Sequence, residues 1–339
     1  MKIAIGQRIQ SEPWGGGNRF AAALAGAIEG RGDKVVFDLR DGDVDIIVLT
    51  DPRARNPAAT FTAGAVLRTL MWRNPRALVV HRINECDERK GTRTMNARLR
   101  LANHCADHTV FIGAWLADLD VWRRGPSTVI HNGADPNIFN ADGHSPWDGK
   151  EPLRLVTHHW GGHWLKGFDV YERLDAMLAT DTWKNRIAFT YVGNLPAGFS
   201  FNAAHHLAPL GGGELAAELR RHHVYLTASV NEPAGMHHIE GALCGLPLLY
   251  RLSGALPEYC GGFGESFEGP ETFEAALSSM IEAYPRWREK LVAYPNTSAK
   301  MCSAYLDLFD GMMASREEIL AGRRPLSDPL AVLLNQIPW

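Results

Sequence analysis

Short β-rich apolar runs recur along the chain, with helical stretches between them. In the first half they are Lys2–Ile5, Lys34–Leu39, Asp45–Thr50, Ala77–His81, His108–Ile112 and Thr128–Ile130. In the second they are Leu153–Thr157, Ile187–Val192, Val224–Ala228 and Leu246–Tyr250. Several are continuously apolar rather than alternating, the pattern of strands covered on both faces. Phe20, Leu24 and Ile28 repeat every four residues and Gly30 supplies a stop, so a helix follows the first strand. This alternation predicts parallel sheets flanked by helices, an α/β fold. The aperiodic, Gly- and Pro-bearing segment Ala141–Pro152 separates two halves of similar size. We expect an N-terminal domain over 1–145, a second over 146–315 and a tail over 316–339. Met301, Tyr305, Phe309 and Met313, again spaced by four, predict a helix within 295–321.

Composition narrows the function. The chain has 339 residues, 45% of them hydrophobic, which suits two globular domains rather than disorder. Its 35 basic and 38 acidic residues leave a net charge of −3, unlike a dedicated nucleic-acid binder. The charge is uneven: residues 50–125 hold 13 basic against 7 acidic residues. A solvated face accounts for that surplus, and peripheral contact with the inner membrane surface is the other use it could serve. The apolar start Ile3–Ile5 is too short for an export signal and Phe20–Ile28 is half a membrane span, so a cytoplasmic protein is expected. Five cysteines without a CxxC pair fit reduced thiols. His104, Cys105 and His108 lack a second ligand pair, and the D-x-D triplets of Asp41, Asp43 and Asp45 sit in a turn, so no metal is expected.

Two glycine-bearing turns carry candidate chemistry. Trp14-Gly-Gly-Gly-Asn-Arg19 lies between the first strand and the Phe20 helix. Glycines there let the backbone approach a ligand, Asn18 could cap the helix, and free N–H groups favour a phosphate. The turn is neither GxGxxG nor GxxxxGK[ST], which argues against a dinucleotide dehydrogenase and a P-loop NTPase. The second turn, Asn231 to Pro247, places Glu232 before a helix starting near Met236 and Glu240 within it. Ionised carboxylates accept hydrogen bonds strongly, so the two could hold separate sets of sugar hydroxyls. Of His237 and His238, one is expected to face solvent and the other to pack. Trp160 and Trp164 could stack on a sugar or pack on the domain edge.

Glu232 and Glu240 form an E-x7-E pair followed by Gly241-Ala-Leu-Cys-Gly-Leu-Pro247 and Gly254-Ala-Leu-Pro-Glu258. This resembles the donor-site signature of retaining glycosyltransferases with the GT-B fold, family 4. The Gly15–Gly17 turn, His131-Asn-Gly-Ala-Asp135 with Phe139, Lys166-Gly167 and Val192-Gly-Asn194 resemble further motifs of that family, in order. The resemblance spans roughly residues 3–270. It implies two Rossmann-like domains facing across a cleft that holds a nucleotide sugar, with UDP- or GDP-sugar as donor. It also implies a glycan or lipid-linked acceptor, no required cofactor or metal, and a C-terminal helix returning to the first domain.

Carried over by position, Glu240 would bind the ribose. Glu232, with backbone groups of Ala234, Gly235 and Met236, would hold the donor sugar, and Asn194 would meet the nucleotide. Lys166 would neutralise the leaving diphosphate, helped by N–H groups at Gly15, Gly16, Gly17 and Asn18. His81 would lie near the transferred sugar. Members of the family often carry an arginine shortly before the K-G lysine, whereas this chain has Thr157-His-His-Trp-Gly-Gly-His163. His158, His159, His163, Arg19 or Arg82 could supply that cation. A nucleotide-sugar epimerase of the same fold and a catalytically inactive sugar-nucleotide-binding protein are the competing readings.

Overall fold

Strands β1 (Lys2–Ile5), β2 (Lys34–Val36), β3 (Ile46–Leu49), β4 (Leu78–Ile83), β5 (His108–Phe111) and β6 (Ser127–Val129) make one sheet. Strands β7 (Leu153–His159), β8 (Ile187–Gly193), β9 (His205–Leu207), β10 (Val224–Thr227), β11 (Leu248–Arg251) and β12 (Gly264–Phe267) make another. The helices are α1 (Gly16–Gly30), α2 (Ala63–Trp72), α3 (Met95–Ala102), α4 (Phe168–Leu178), α5 (Gly212–Leu219), α6 (His237–Leu243), α7 (Leu256–Cys260), α8 (Pro270–Leu291), α9 (Ser298–Ala314), α10 (Arg316–Gly322) and α11 (Pro329–Leu334). This computed structural model describes residues 1–10, 15–53, 56–323 and 328–337, so Trp14 and the tail residues 338–339 lie outside the description.

Every strand pairing is parallel, as the continuous apolar runs predict. All four residues of β3 and all six of β4 are buried, because helices cover both faces of a parallel sheet. The sheet orders are β2-β1-β3-β4-β5-β6 and β12-β11-β10-β7-β8-β9. In each, the chain runs outward on one side of its first strand and then crosses to the other. That reversal opens a crevice beyond the strand C-termini, between β1 and β3 and between β7 and β10.

The chain forms two compact units, 1–132 with 298–339, and 133–297. These limits differ from those expected at 145/146 and 315/316. Residues 133–145 go with the second unit, where His144 Nε2 donates to the His222 carbonyl (2.9 Å) and Arg220 to that of Asn140 (3.2 Å). Helix α9 goes with the first because its apolar stripe Met301, Tyr305, Phe309 and Met312 packs with Phe20, Leu24 and Ile28 of α1. The predicted helix over 295–321 breaks into α9 and α10. The described tail also lies on the first unit: Arg323 pairs with Asp107, and Asn335 donates to the Leu101 carbonyl (3.0 Å). Among the described residues no helix is long and apolar enough to cross a membrane.

The second unit's core is rich in aromatic rings, with Phe168, Tyr171 and Tyr191 in mutual contact and Phe189 against Tyr171. Histidines join this interior. His159, His237 and His238 are buried here, as His81 is in the first unit. Burial pushes His81 down to about 4 and His238 to about 3, and holds His159 and His237 well below 6.5. The unfolded chain therefore binds more protons than the native one below pH 6.5. Stability falls on acidification by about 1.4 kcal/mol per pH unit for each histidine still neutral in the fold. We expect a melting temperature lower by at least about 5 °C at pH 5 than at pH 7.5. His238→Phe should reduce that dependence, and a pH slope the variant leaves unchanged would contradict the account.

Candidate functional site

The candidate residues of the second unit gather where β7 and β10 end. Beyond β7 the chain passes through Trp160–His163 and a short turn, Trp164–Lys166, to Gly167. Gly167 has φ +100°, and a Cβ there would lie 2.5–2.6 Å from Ala228 at the end of β10. Only glycine permits so close an approach. The Val230 N–H donates to the Leu165 carbonyl (2.8 Å), which ties the two loops together. Across this seam Lys166 Nζ donates to Glu232 Oε2 (2.6 Å), and both side chains are buried.

The backbone of Glu232 is clamped from the other side. Its carbonyl accepts from the Ala255 N–H (2.9 Å), and the Asn231 N–H donates to Ser253 Oγ (2.8 Å). Gly254, at φ +59°, fits against Glu232 where a Cβ would lie 2.5 Å from that carbonyl oxygen. Asn231 adopts φ +51°, a left-handed turn that asparagine tolerates. At Gly235 a Cβ would meet the His237 ring at 2.3 Å and the Glu232 carboxyl carbon at 3.3 Å. Ala234, Gly235 and Met236 thus run beside Glu232 into α6.

Helix α6 carries Glu240, which is fully buried. His158, near the end of β7, places Nε2 2.8 Å from Glu240 Oε2. Its Nδ1 lies 3.0 Å from the Tyr225 hydroxyl, which also accepts from the His158 backbone N–H (3.1 Å). Neither His158 as a partner of Glu240 nor Tyr225 was singled out from sequence. Their meeting depends on β7 and β10 being neighbours, which no local spacing encodes.

The other expected positions fall as follows. Asn194, exposed after β8, donates from Nδ2 to the Trp160 carbonyl (2.7 Å) and so braces the β7 loop. In the first unit Gly15 is the N-cap of α1 and Gly16 and Gly17 open it. Asn18 does not cap that helix: its side chain accepts from the Gln10 N–H (2.8 Å) and donates to the Gln10 carbonyl (3.0 Å). His81 is not at a surface. It is fully buried in β4 with Nδ1 3.1 Å from the Asn103 amide, because both faces of that strand are covered.

Neither His237 nor His238 faces solvent, since α6 packs between the sheet and Tyr259 of α7. Trp160 and Trp164 are both about half exposed, and Trp164 also packs edge-on against Phe199. Among the proposed replacement cations, His159 is excluded: it is buried and neutral, bonded to the Tyr171 hydroxyl (2.8 Å). Arg82 is a core residue of the first unit, stacked 3.9 Å over Phe20 and donating to Asn132 Oδ1 (2.8 Å). Arg19 is held below its usual range by burial. Asp41 and Asp43 are engaged by Lys2, and Asp45 by Arg316.

No family profile matches the chain, and a search of curated protein sequences finds no match. Solved structures are. Sucrose-phosphate synthase from Thermosynechococcus elongatus superposes with a TM-score of 0.62 at 16% identity, over 93% of this chain and 99% of that one. HepE from Anabaena, in complex with UDP-glucose, gives 0.63 at 14%, over 93% and 100%. The catalytic domain of starch synthase IV from Arabidopsis thaliana, bound to ADP and acarbose, gives 0.64 at 11%, over 92% and 99%. These are GT-B glycosyltransferases, and two six-stranded parallel sheets give this chain the same fold.

Proposed function

We propose that the chain is a retaining glycosyltransferase that moves a hexosyl group from a UDP- or GDP-sugar to a hydroxyl of a glycan or lipid-linked acceptor. The observation that carries this reading is the convergence of Lys166, Glu232 and Glu240 at the β7/β10 crevice. The fold is one in which HepE holds UDP-glucose.

In this reading Glu240 accepts hydrogen bonds from the ribose. Glu232 and the N–H groups of Ala234 to Met236 hold the hydroxyls of the donor sugar. Lys166 is the leaving-group cation. In the resting protein its charge is committed to Glu232, and an arriving diphosphate draws on the same ammonium. In the first unit, the N–H groups of Gly16 and Gly17 are the proposed anion donors. As the bond from the anomeric carbon to phosphate oxygen breaks, the acceptor oxygen bonds to that carbon on the same face and passes its proton to the departing phosphate. Charge stabilisation and positioning supply the rate enhancement. A lysine and backbone donors perform the electrostatic work, so the scheme needs no metal. Position alone assigns His81 a place near the transferred sugar; it is buried in β4, as Glu240 is in α6.

Two substitutions test the assignment. Glu240→Ala should abolish binding of nucleoside diphosphates in a folded protein, measured by calorimetry, and unchanged affinity would remove the ribose role. Lys166→Ala should lower turnover by roughly 100-fold, the cost of one charge-stabilising group. It also leaves Glu232 buried without this ammonium, a loss of about 3–5 kcal/mol of stability. Turnover is therefore to be measured well below the variant's melting temperature, and a wild-type rate there would contradict the phosphate role.

A further inference from the structure

We propose that His158 and Tyr225 are positioning residues that hold the Glu240 carboxylate in the orientation a nucleotide ribose requires. The inference rests on the donor-site reading given above and assigns two residues to it.

An ionised carboxylate only accepts hydrogen bonds, so the contact between His158 Nε2 and Glu240 Oε2 (2.8 Å) requires the proton on Nε2. His158 is itself held. The Tyr225 hydroxyl lies 3.0 Å from Nδ1 and takes the His158 backbone N–H at 3.1 Å, so one oxygen grips both the ring and the main chain of His158. Burial keeps that phenol well above its ordinary value, so its proton stays in place. The two rings meet edge-on, with centroids 5.6 Å apart.

Tyr225 is seated by the residue next to the carboxylate. A Cβ on Gly241 would lie 2.2 Å from the Tyr225 ring, so α6 can approach β10 this closely only with glycine there. Strands β7 and β10 are paired at this level, with Tyr225 opposite Val156. Three elements thereby converge: β7 supplies His158, β10 supplies Tyr225 and α6 supplies Glu240. A glutamate on a helix as short as α6 would otherwise lose rotamer freedom on binding. Holding it beforehand moves that entropy cost into folding.

The test measures affinities of the full chain for UDP, GDP and ADP and for their 2′-deoxy and 3′-deoxy counterparts by calorimetry. The proteins are the wild type, Glu240→Gln, Tyr225→Phe and His158→Leu, with His158→Gln as the conservative replacement. Tyr225→Phe keeps the ring against Gly241 and removes only the hydroxyl. We expect the wild type to prefer at least one ribonucleotide over one of its deoxy forms. Tyr225→Phe should weaken binding of that ribonucleotide by roughly threefold to tenfold, and His158→Leu by more. Binding of the deoxy form should barely change, so that the preference collapses, and His158→Gln should restore part of it.

A purely structural role would weaken both nucleotides alike and leave their ratio intact, which would overturn the inference. A preference lost in Glu240→Gln but kept in both Tyr225→Phe and His158→Leu would overturn it while leaving the donor site standing. If the wild type binds none of the nucleotides, the donor-site reading fails and this inference with it.

Discussion

A buried ion pair holds the candidate site together. Lys166 and Glu232 come from loops after different strands, and water is largely excluded from both. Desolvating two charges costs several kcal/mol each, and an ion pair returns that only when geometry is good and further hydrogen bonds are made. The surroundings meet that demand. Leu165 and Val230 join the loops, Ala255 and Ser253 fix the backbone around Glu232, and Gly167 and Gly254 allow the close approach. Most of the local architecture can be understood as the scaffold of this one contact. It also keeps a lysine side chain in a dry site next to helix α6.

Topology determines where such a contact can form. The order of strands in the second sheet reverses between β7 and β10, and the loops after these two strands meet over that point. Lys166 follows β7, and Glu232 and Glu240 follow β10. Residues far apart in sequence therefore meet at one place without any of them being adjacent. Helix α6 is buried on all sides, which explains why two consecutive histidines sit in a nearly anhydrous interior beside two carboxylates.

Much of this was legible in the sequence. Ten strands follow from apolar or β-branched runs, continuous where the strand is covered on both faces, as in β3 and β4. The two strands the pattern misses, β9 and β12, are sheet edges, with the polar sequences His205-His-Leu and Gly264-Glu-Ser-Phe. Sheet edges β2 and β6 were still legible because Lys34-Val-Val and Ser127-Thr-Val keep β-branched residues, which β9 and β12 lack. The E-x7-E pair was readable because both carboxylates lie close in the chain. The Tyr225–His158–Glu240 contacts were not, since register between β7 and β10 creates them. The resemblance implies a C-terminal helix returning to the first domain, and α9 does pack on the first unit; the four-residue period alone shows that a stripe is apolar but not which sheet it covers. Asn18 looked like a cap, yet the chain ahead of the helix folds back and takes its side chain.

The central claim is that this chain binds and activates a nucleotide sugar. The most direct measurement incubates the full chain with a panel of UDP-, GDP- and ADP-sugars without acceptor and follows both free nucleotide and sugar identity by NMR. The account predicts slow release of the nucleoside diphosphate from one donor, with the liberated sugar unaltered and first appearing in the anomeric configuration of the donor. An isomerised sugar, a sugar freed with inverted configuration, or binding with no product at all would contradict it.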